Sequence, residues 1–260
     1  MNVLPTAADS PLAAAARRRL WPLAWLALQL HLLLLGLMSA AWNASALLLH
    51  PLLPRAAGRR LGRAAIAWGY GRFWRVAAAT GMLHLEADAL DALRDEPGLM
   101  IVANHPSMLD ALMLVARLPR SACIMKAGLM RNPLLGPGAR LARYIRNDSA
   151  YGMVRCAVQD LRQGGQLVMF PEGTRSPPRG LNRFHASFAV IAQRAQAPIQ
   201  TVFIDTDSPY LGKGWPLWRL PPLPIRFAVR LGRRFDPGAG AEAQRAEIEA
   251  YFAASLQRPS

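Results

Sequence analysis

The stretch from Leu99 to Asp110, LMIVANHPSMLD, carries an apolar run straight into Asn-His-Pro-Ser and then into a segment of helical character. A short apolar run bounded by turn residues reads as a buried strand, and proline is at home in the first turn of a helix. The spacing therefore predicts a strand over Leu99 to Ala103 and a helix from about Pro106, with His105 just outside it and Asp110 in its second turn. On one continuous helix, residues five apart point about 140° away from each other. With His105 off the helix start, its ring can fold back onto the Asp110 carboxylate. That contact would fix the imidazole tautomer and leave the other ring nitrogen to take a proton from a hydroxyl. A histidine that merely satisfies a core or capping role fits the same spacing.

A second junction of this kind runs from Gln166 to Ser176, QLVMFPEGTRS. Here an apolar strand ends in Pro171, Glu172, Gly173, Thr174 and Arg175. Open α/β sheets place ligands beyond the carboxyl ends of their strands. Glycine lets backbone approach a ligand, and arginine offers a fork for phosphate or carboxylate. Glu172 is expected to orient that arginine or to bind an acceptor hydroxyl. An ordinary Pro-Glu-Gly turn with a surface ion pair is the plainer reading.

Around these two junctions, short apolar runs alternate with helical stretches, the pattern of an α/β domain with a mixed, largely parallel sheet flanked by helices. Further strands are expected at Met82–Glu86, Ala122–Met125, Gln200–Asp205 and Arg226–Leu231. Helices are expected at Leu109–Leu118, Val154–Gln163, Phe184–Ala195 and Ala241–Leu256, the last as an amphipathic closing helix. Residues 64–260 form this catalytic domain, and 1–63 a leader with an N-terminal membrane-associated helical segment.

The chain has 260 residues and 31 basic against 16 acidic side chains, giving a net charge of +15. Such a balance favours anionic partners, a membrane surface or a phosphorylated ligand among them. No motif for nucleic acid accompanies it. Cys123 and Cys156 lie in apolar stretches without Cys/His ligand spacing, so neither a disulfide nor a metal site is expected. From Leu20 to Pro54 no charged residue occurs. Arg17–Arg19 flank that run on one side and Arg55, Arg59, Arg60 and Arg63 on the other. Arginine clusters keep to the cytoplasmic side, so a hairpin breaking within Gly36–Ser45 would return both ends there. A single tilted span followed by an interfacial helix is the alternative. Either places the protein at a membrane, the inner one in a bacterium, with the catalytic domain facing the cytoplasm. His31 and His50 read as interfacial bystanders, and the Trp-rich stretch Tyr210–Pro224 as core packing or a second membrane contact.

Together, NHxxxxD and, about 60 residues later, FPEGTR resemble the motifs of the glycerolipid acyltransferase family, whose members acylate lysophosphatidate and related lysolipids. The resemblance covers Gly81 to Pro237. It implies that His105 is the general base on an acceptor hydroxyl, oriented by Asp110, and that the hydroxyl attacks an acyl thioester directly. Asn104, Glu172, Gly173, Thr174 and Arg175 inherit substrate-binding roles from these two motifs. Lys126 does so from IMKAGLMRNPLLG, and Arg146 stands near the position of the family's second-motif arginine. The donor implied is acyl-ACP or acyl-CoA as co-substrate, with acyl carrier protein or a coenzyme A thioester and membrane lipids as partners, and with no metal or other cofactor. Backbone amides near Gly173 are candidates for the oxyanion.

One departure stands out: Asn147 occupies the place of the family's arginine, with Arg146 displaced by one. That displacement points toward an acceptor without a terminal phosphate, such as a lyso-aminolipid. A thioester hydrolase is a rival, although no GxSxG elbow is present. A non-catalytic basic membrane-binding protein is another, in which His105 would be inert.

Overall fold

The computed structural model describes residues 11–178, 180–238 and 240–256. Of the expected leader and helical segment over 1–63, residues 1–10 lie outside the described residues, and the rest falls in the first two helices and the turn between them. These helices, α1 (Pro11–Leu52) and α2 (Arg55–Ala79), form a helical hairpin. Its break is at Leu53–Pro54 rather than within Gly36–Ser45, through which α1 runs unbroken. The reason is local. One glycine costs a helix only about 1 kcal/mol, and the leucines and alanines around Gly36 are good helix formers. Pro54, by contrast, has no N–H to continue the ladder and pushes the residue before it out of helical space.

α1 presents a stripe of exposed side chains, Leu23, Leu26, Leu30, Leu33 and Leu37, at helical spacing. Over Trp21–Leu52 it is long and apolar enough to cross a membrane. Its opposite face is tied down by polar contacts. His31 Nδ1 donates to Ala27 O at 2.6 Å while Nε2 meets Thr80 Oγ1 at 3.0 Å, linking α1 to the end of α2. His31 is thus a bonded strut and not a bystander. The Trp25 indole donates to Trp218 O at 2.8 Å, and Asn43 donates to Leu134 O at 2.7 Å and accepts from Gly138 N at 2.7 Å.

The sheet comprises β1 (Leu83–Glu86), β2 (Met100–Ala103), β3 (Ser121–Met125), β4 (Ile145–Arg146), β5 (Gln166–Met169), β6 (Ile199–Asp205) and β7 (Ile225–Phe235). Their order is β1-β7-β6-β2-β5-β3-β4, and only the β6–β7 pair is antiparallel. Helices α3 (Asp110–Arg117), α4 (Ala127–Arg131), α5 (Gly136–Leu141), α6 (Ala150–Arg162), α7 (Ser187–Ala195) and α8 (Ala241–Leu256) complete the chain. Alternate residues of β2 feed two cores: Ile101 and Ala103 pack with Met113, Leu114 and Trp74, while Met100 and Val102 pack with Phe188, Ile191 and Phe252. Both faces of the sheet are therefore covered, as near-continuous apolar strands require.

α2 crosses residues 63 and 64 and packs on α5, where a Cβ on Gly62 would lie 2.6 Å from Ala142 N. Beside that contact Arg63 is buried, not a membrane-flanking charge. It donates to Ala142 O at 3.0 Å and Arg120 O at 2.8 Å and pairs with Asp160 at 2.8 Å. The expectation had no means of separating this arginine from its exposed neighbours, because its partners are distant in sequence.

Candidate active site

β2 and β5 are adjacent and parallel, so NHPSMLD and FPEGTR leave the same edge of the sheet side by side. The helix expected from Pro106 begins at Asp110 instead, and residues 106–109 form a loop stapled to a distant segment. Ser107 Oγ donates to Tyr210 O at 3.0 Å, and Met108 N donates to Leu211 O at 3.1 Å. This loop sets the angle at which His105 meets Asp110.

His105 Nδ1 lies 2.8 Å from Asp110 Oδ2, which also accepts the Ser107 N–H at 2.8 Å. The His105 ring stacks on Phe170 with centroids 4.1 Å apart and planes 19° apart. Its side chain is 19% exposed while Asp110 is fully buried, and Nε2 has no acceptor or donor among the described residues. The dyad is therefore an imidazole held from behind by Asp110, with its free nitrogen turned to the open edge. Asp110 Oδ1 is buried without a partner. Burial raises the Asp110 carboxyl to about 6, with the hydrogen bonds from His105 and Ser107 drawing it back down.

Two pH effects of opposite sign follow from that value. An ionised Asp110 would stabilise the imidazolium formed if His105 took a proton from a hydroxyl. The rate of His105 chemistry is thus expected to fall as pH drops through about 6. Stability runs the other way. The folded value lies above the unfolded one of about 3.9, so Asp110's contribution is complete below about 4 and is lost as pH rises through the folded value. A pH–rate profile and denaturant melts at pH 5 and 8, comparing wild type with Asp110→Asn, check both. An Asp110→Asn variant with an unaltered profile below pH 7 would refute the assignment.

Glu172 makes no contact with the Arg175 side chain among the described residues. It is buried, with Oε1 accepting from Ser176 Oγ and, at 3.3 Å, from His105 N. Its Oε2 accepts from Asn182 N at 2.8 Å and Asn182 Nδ2 at 2.9 Å. Ser176 N in turn donates to His105 O at 2.8 Å. The carboxylate thus locks the FPEGTR turn to the His105 backbone. Asn104, also expected at the substrate, is a clamp between strands. Its Nδ2 donates to Ile204 O at 2.9 Å and its Oδ1 accepts from Ile204 N at 2.8 Å, using both amide atoms to tie β2 to β6.

Arg175 donates through Nη1 to Leu211 O at 2.9 Å and Gly212 O at 2.7 Å. Its other N–H groups have no acceptor among the described residues. Gly173 has φ +66°, and its N–H is spent on Phe170 O at 3.1 Å, which removes it from the oxyanion candidates. Thr174 is exposed at the mouth, and its backbone N–H has no acceptor among the described residues. Lys126 stands exposed just beyond β3, on the same edge, without a carboxylate partner among the described residues. Arg146 pairs in register with Met125 at the end of β4 and forms an exposed ion pair with Asp148.

The residues missed at the sequence level are Phe170, Ser176, Asn182 and Tyr210–Gly212. Phe170 and Ser176 sit in the motif itself, but stacking and carbonyl acceptance leave no signature in residue type. Exposed Trp218 and half-buried Trp215 divide the two readings of the Trp-rich loop between them.

A His–Asp pair without a protein nucleophile, beside a Pro-Glu-Gly-Thr-Arg turn on a mostly parallel sheet, defines an acyltransferase-type domain. Residues 84–205 match the Acyltransferase family model. A 1-acyl-sn-glycerol-3-phosphate acyltransferase of Limnanthes alba is 29% identical over 133 residues, covering 48% of this chain. That alignment spans 46% of the plant protein, so the chain matches only about half the length of such a relative. A Pseudomonas aeruginosa protein of the same name is 23% identical over 72% of this chain and 73% of its own. The crystal structure of the lysophosphatidate acyltransferase PlsC from Thermotoga maritima superposes with a TM-score of 0.62 at 21% identity, over 90% of this chain and 99% of that one. Residues 84–205 thus form an Acyltransferase domain, on a fold shared with the PlsC structure.

Proposed function

We propose that the protein transfers a fatty acyl group from a thioester to a hydroxyl of a lysophosphatidate-type lysolipid, with His105 as general base and Asp110 as its orienting carboxylate. The observation that carries this reading is the unpaired Nε2 of His105, beside the FPEGTR turn on an open edge. A hydroxyl proton passes to Nε2, the alkoxide oxygen attacks the thioester carbonyl, and the tetrahedral intermediate expels the thiolate. The imidazolium returns the proton to the leaving sulfur. No acyl-enzyme forms in this scheme. The donor is acyl-CoA or acyl-ACP.

Lysophosphatidate is favoured over a lyso-aminolipid by two things. The relatives above are named for 1-acylglycerol 3-phosphate. The same edge also offers the exposed charge of Lys126 and the unfilled N–H groups of Arg175. These supply what the Asn147 substitution takes away.

α1 lies along the membrane interface in this reading. Its contacts to the catalytic domain at Trp25, Ser39 and Asn43 extend over about 27 Å at about 1.5 Å per residue. A helix bound to a charged domain over that length cannot carry it through hydrocarbon, whereas its leucine stripe can enter the outer few ångströms of the bilayer.

The test is to supply purified protein with labelled acyl thioester and a panel of lysolipids. Lysophosphatidate is expected to be acylated at least tenfold faster than lysolipids lacking a phosphomonoester, by the charge-assisted contacts it gains. Preferential acylation of a lyso-aminolipid would overturn the acceptor, and release of free fatty acid alone would favour the hydrolase.

A further inference from the structure

Beyond the end of β4 lies a cleft of about 1140 Å³ between the α1–α2 turn and α4, α5 and α6. Six arginines line it: Arg55, Arg59, Arg131, Arg140, Arg143 and Arg146. Asp160 answers Arg59 and the buried Arg63, and Asp148 answers Arg146. The remaining four have no carboxylate partner among the described residues, and Arg140 donates only to Met130 O. So many unneutralised guanidinium groups around one hollow raise its positive potential and favour a multiply charged anion.

Arg143 adds an independent observation. It follows the last turn of α5 with φ +59°, a position where glycine is the usual residue, and the turn closes through Tyr144 N to Ala139 O at 2.9 Å. A residue with a Cβ is less favoured than glycine in left-handed backbone. The Arg143 guanidinium is exposed and makes no hydrogen bond to a described residue, which leaves it free for a ligand in the cleft.

We propose that this cleft binds the phosphate groups of a nucleotide, as carried by the nucleotide end of a coenzyme A thioester. The inference rests on the acyl-transfer reading for the identity of the donor. The concave shape suits a small ligand rather than the flat face a carrier protein would need. β4 stands three strand positions from β2, about 14 Å at about 4.8 Å per strand, a gap that an extended pantetheine arm spans to bring its thioester to His105.

Cys156 is exposed and lines the cleft, while Cys123 is buried, which provides a reporter independent of activity. The full chain in detergent is titrated with adenosine 3′,5′-bisphosphate while alkylation of Cys156 is followed, and affinity is measured by calorimetry. The nucleotide is expected to slow alkylation several-fold in wild type and in His105→Ala. Arg143→Gly is expected to weaken binding by about tenfold, the loss of one charge-assisted contact, with an unfolding midpoint unchanged or raised. Arg131→Ala, outside the left-handed turn, should weaken it too. Absence of protection at saturating nucleotide, or wild-type affinity in both arginine variants, would overturn the proposal. So would an Arg143→Gly defect confined to binding phosphatidylglycerol vesicles, which would assign the cleft to lipid headgroups, or protection by acyl carrier protein but not by nucleotide. Nucleotide binding without acyl transfer to any lysolipid would overturn the functional reading and leave the cleft assignment standing.

Discussion

Replacing His105 with alanine is expected to lower acyl transfer by about a hundred- to ten-thousand-fold, the contribution typical of a positioned general base. The protein should stay folded. The His105 side chain bonds only to Asp110 and stacks on Phe170, and it fills no closed part of either core. Removing it relieves Asp110 of a partner at a site where burial already opposes the charge, so the carboxyl is expected to rise above its present value of about 6. The measurements are initial rates with saturating thioester and lysolipid, alongside circular dichroism and a denaturant melt. KM for the acceptor should change little, because the lost interaction forms only as the hydroxyl proton moves. Turnover near that of wild type in a folded His105→Ala preparation would end the general-base mechanism and leave only the family fold.

The second large effect is expected at Glu172, and it separates two roles. As a turn lock, its carboxylate accepts from Ser176 Oγ, His105 N and both nitrogens of Asn182. Glu172→Ala strands the Ser176 hydroxyl and the Asn182 N–H, at about 1–3 kcal/mol for each left unpaired, while His105 N keeps Ser176 Oγ at 3.0 Å and Asn182 Nδ2 keeps Arg175 O at 3.1 Å. The expected result is a loss of at least about 2 kcal/mol of stability, and of most activity through displacement of the His105 backbone. Glu172→Gln keeps the shape but turns an NH2 group toward N–H donors, and should lose roughly half as much. Urea melts give the stability, and kcat and KM give the function. An acceptor-binding glutamate predicts the reverse pattern: an unchanged melt for Glu172→Gln with a raised acceptor KM. That outcome would return Glu172 to the substrate.

The two variants together show how the site divides between what residue types announce and what packing arranges. The strands ending at Ala103 and Met169 were legible because an apolar run bounded by Pro and Gly has few other uses. The His105–Asp110 pair was legible because the two lie close in sequence, at a junction that frees one of them from the helix. The closing helix α8 turns Gln244, Ile248 and Phe252 inward at intervals of four, a spacing of helical period, although its polar and apolar residues are barely segregated. Local chemistry of this kind depends on spacing alone, and spacing is what a sequence records.

Contacts across the chain are another matter. Asn104 and Glu172 carry the polar side chains a substrate would use, yet the fold spends them on Ile204, Ser176 and Asn182, partners that only the strand order brings near. Arg63 and Arg59 belong to one run of arginines, but a single turn of α2 puts one inside against Asp160 and the other at a cleft mouth. The short strand β4 and helices α4 and α5 have too few residues for any periodicity to mark them, and they exist because β3 and α1 offer backbone and apolar surface to complete. The sequence by itself determined the α/β class, the long apolar first helix and the His105–Asp110 pairing. Tertiary structure alone decided where the hairpin turns, which polar groups remain free for a ligand and how the arginines gather at one cleft, because those depend on which distant backbone atoms each side chain must satisfy.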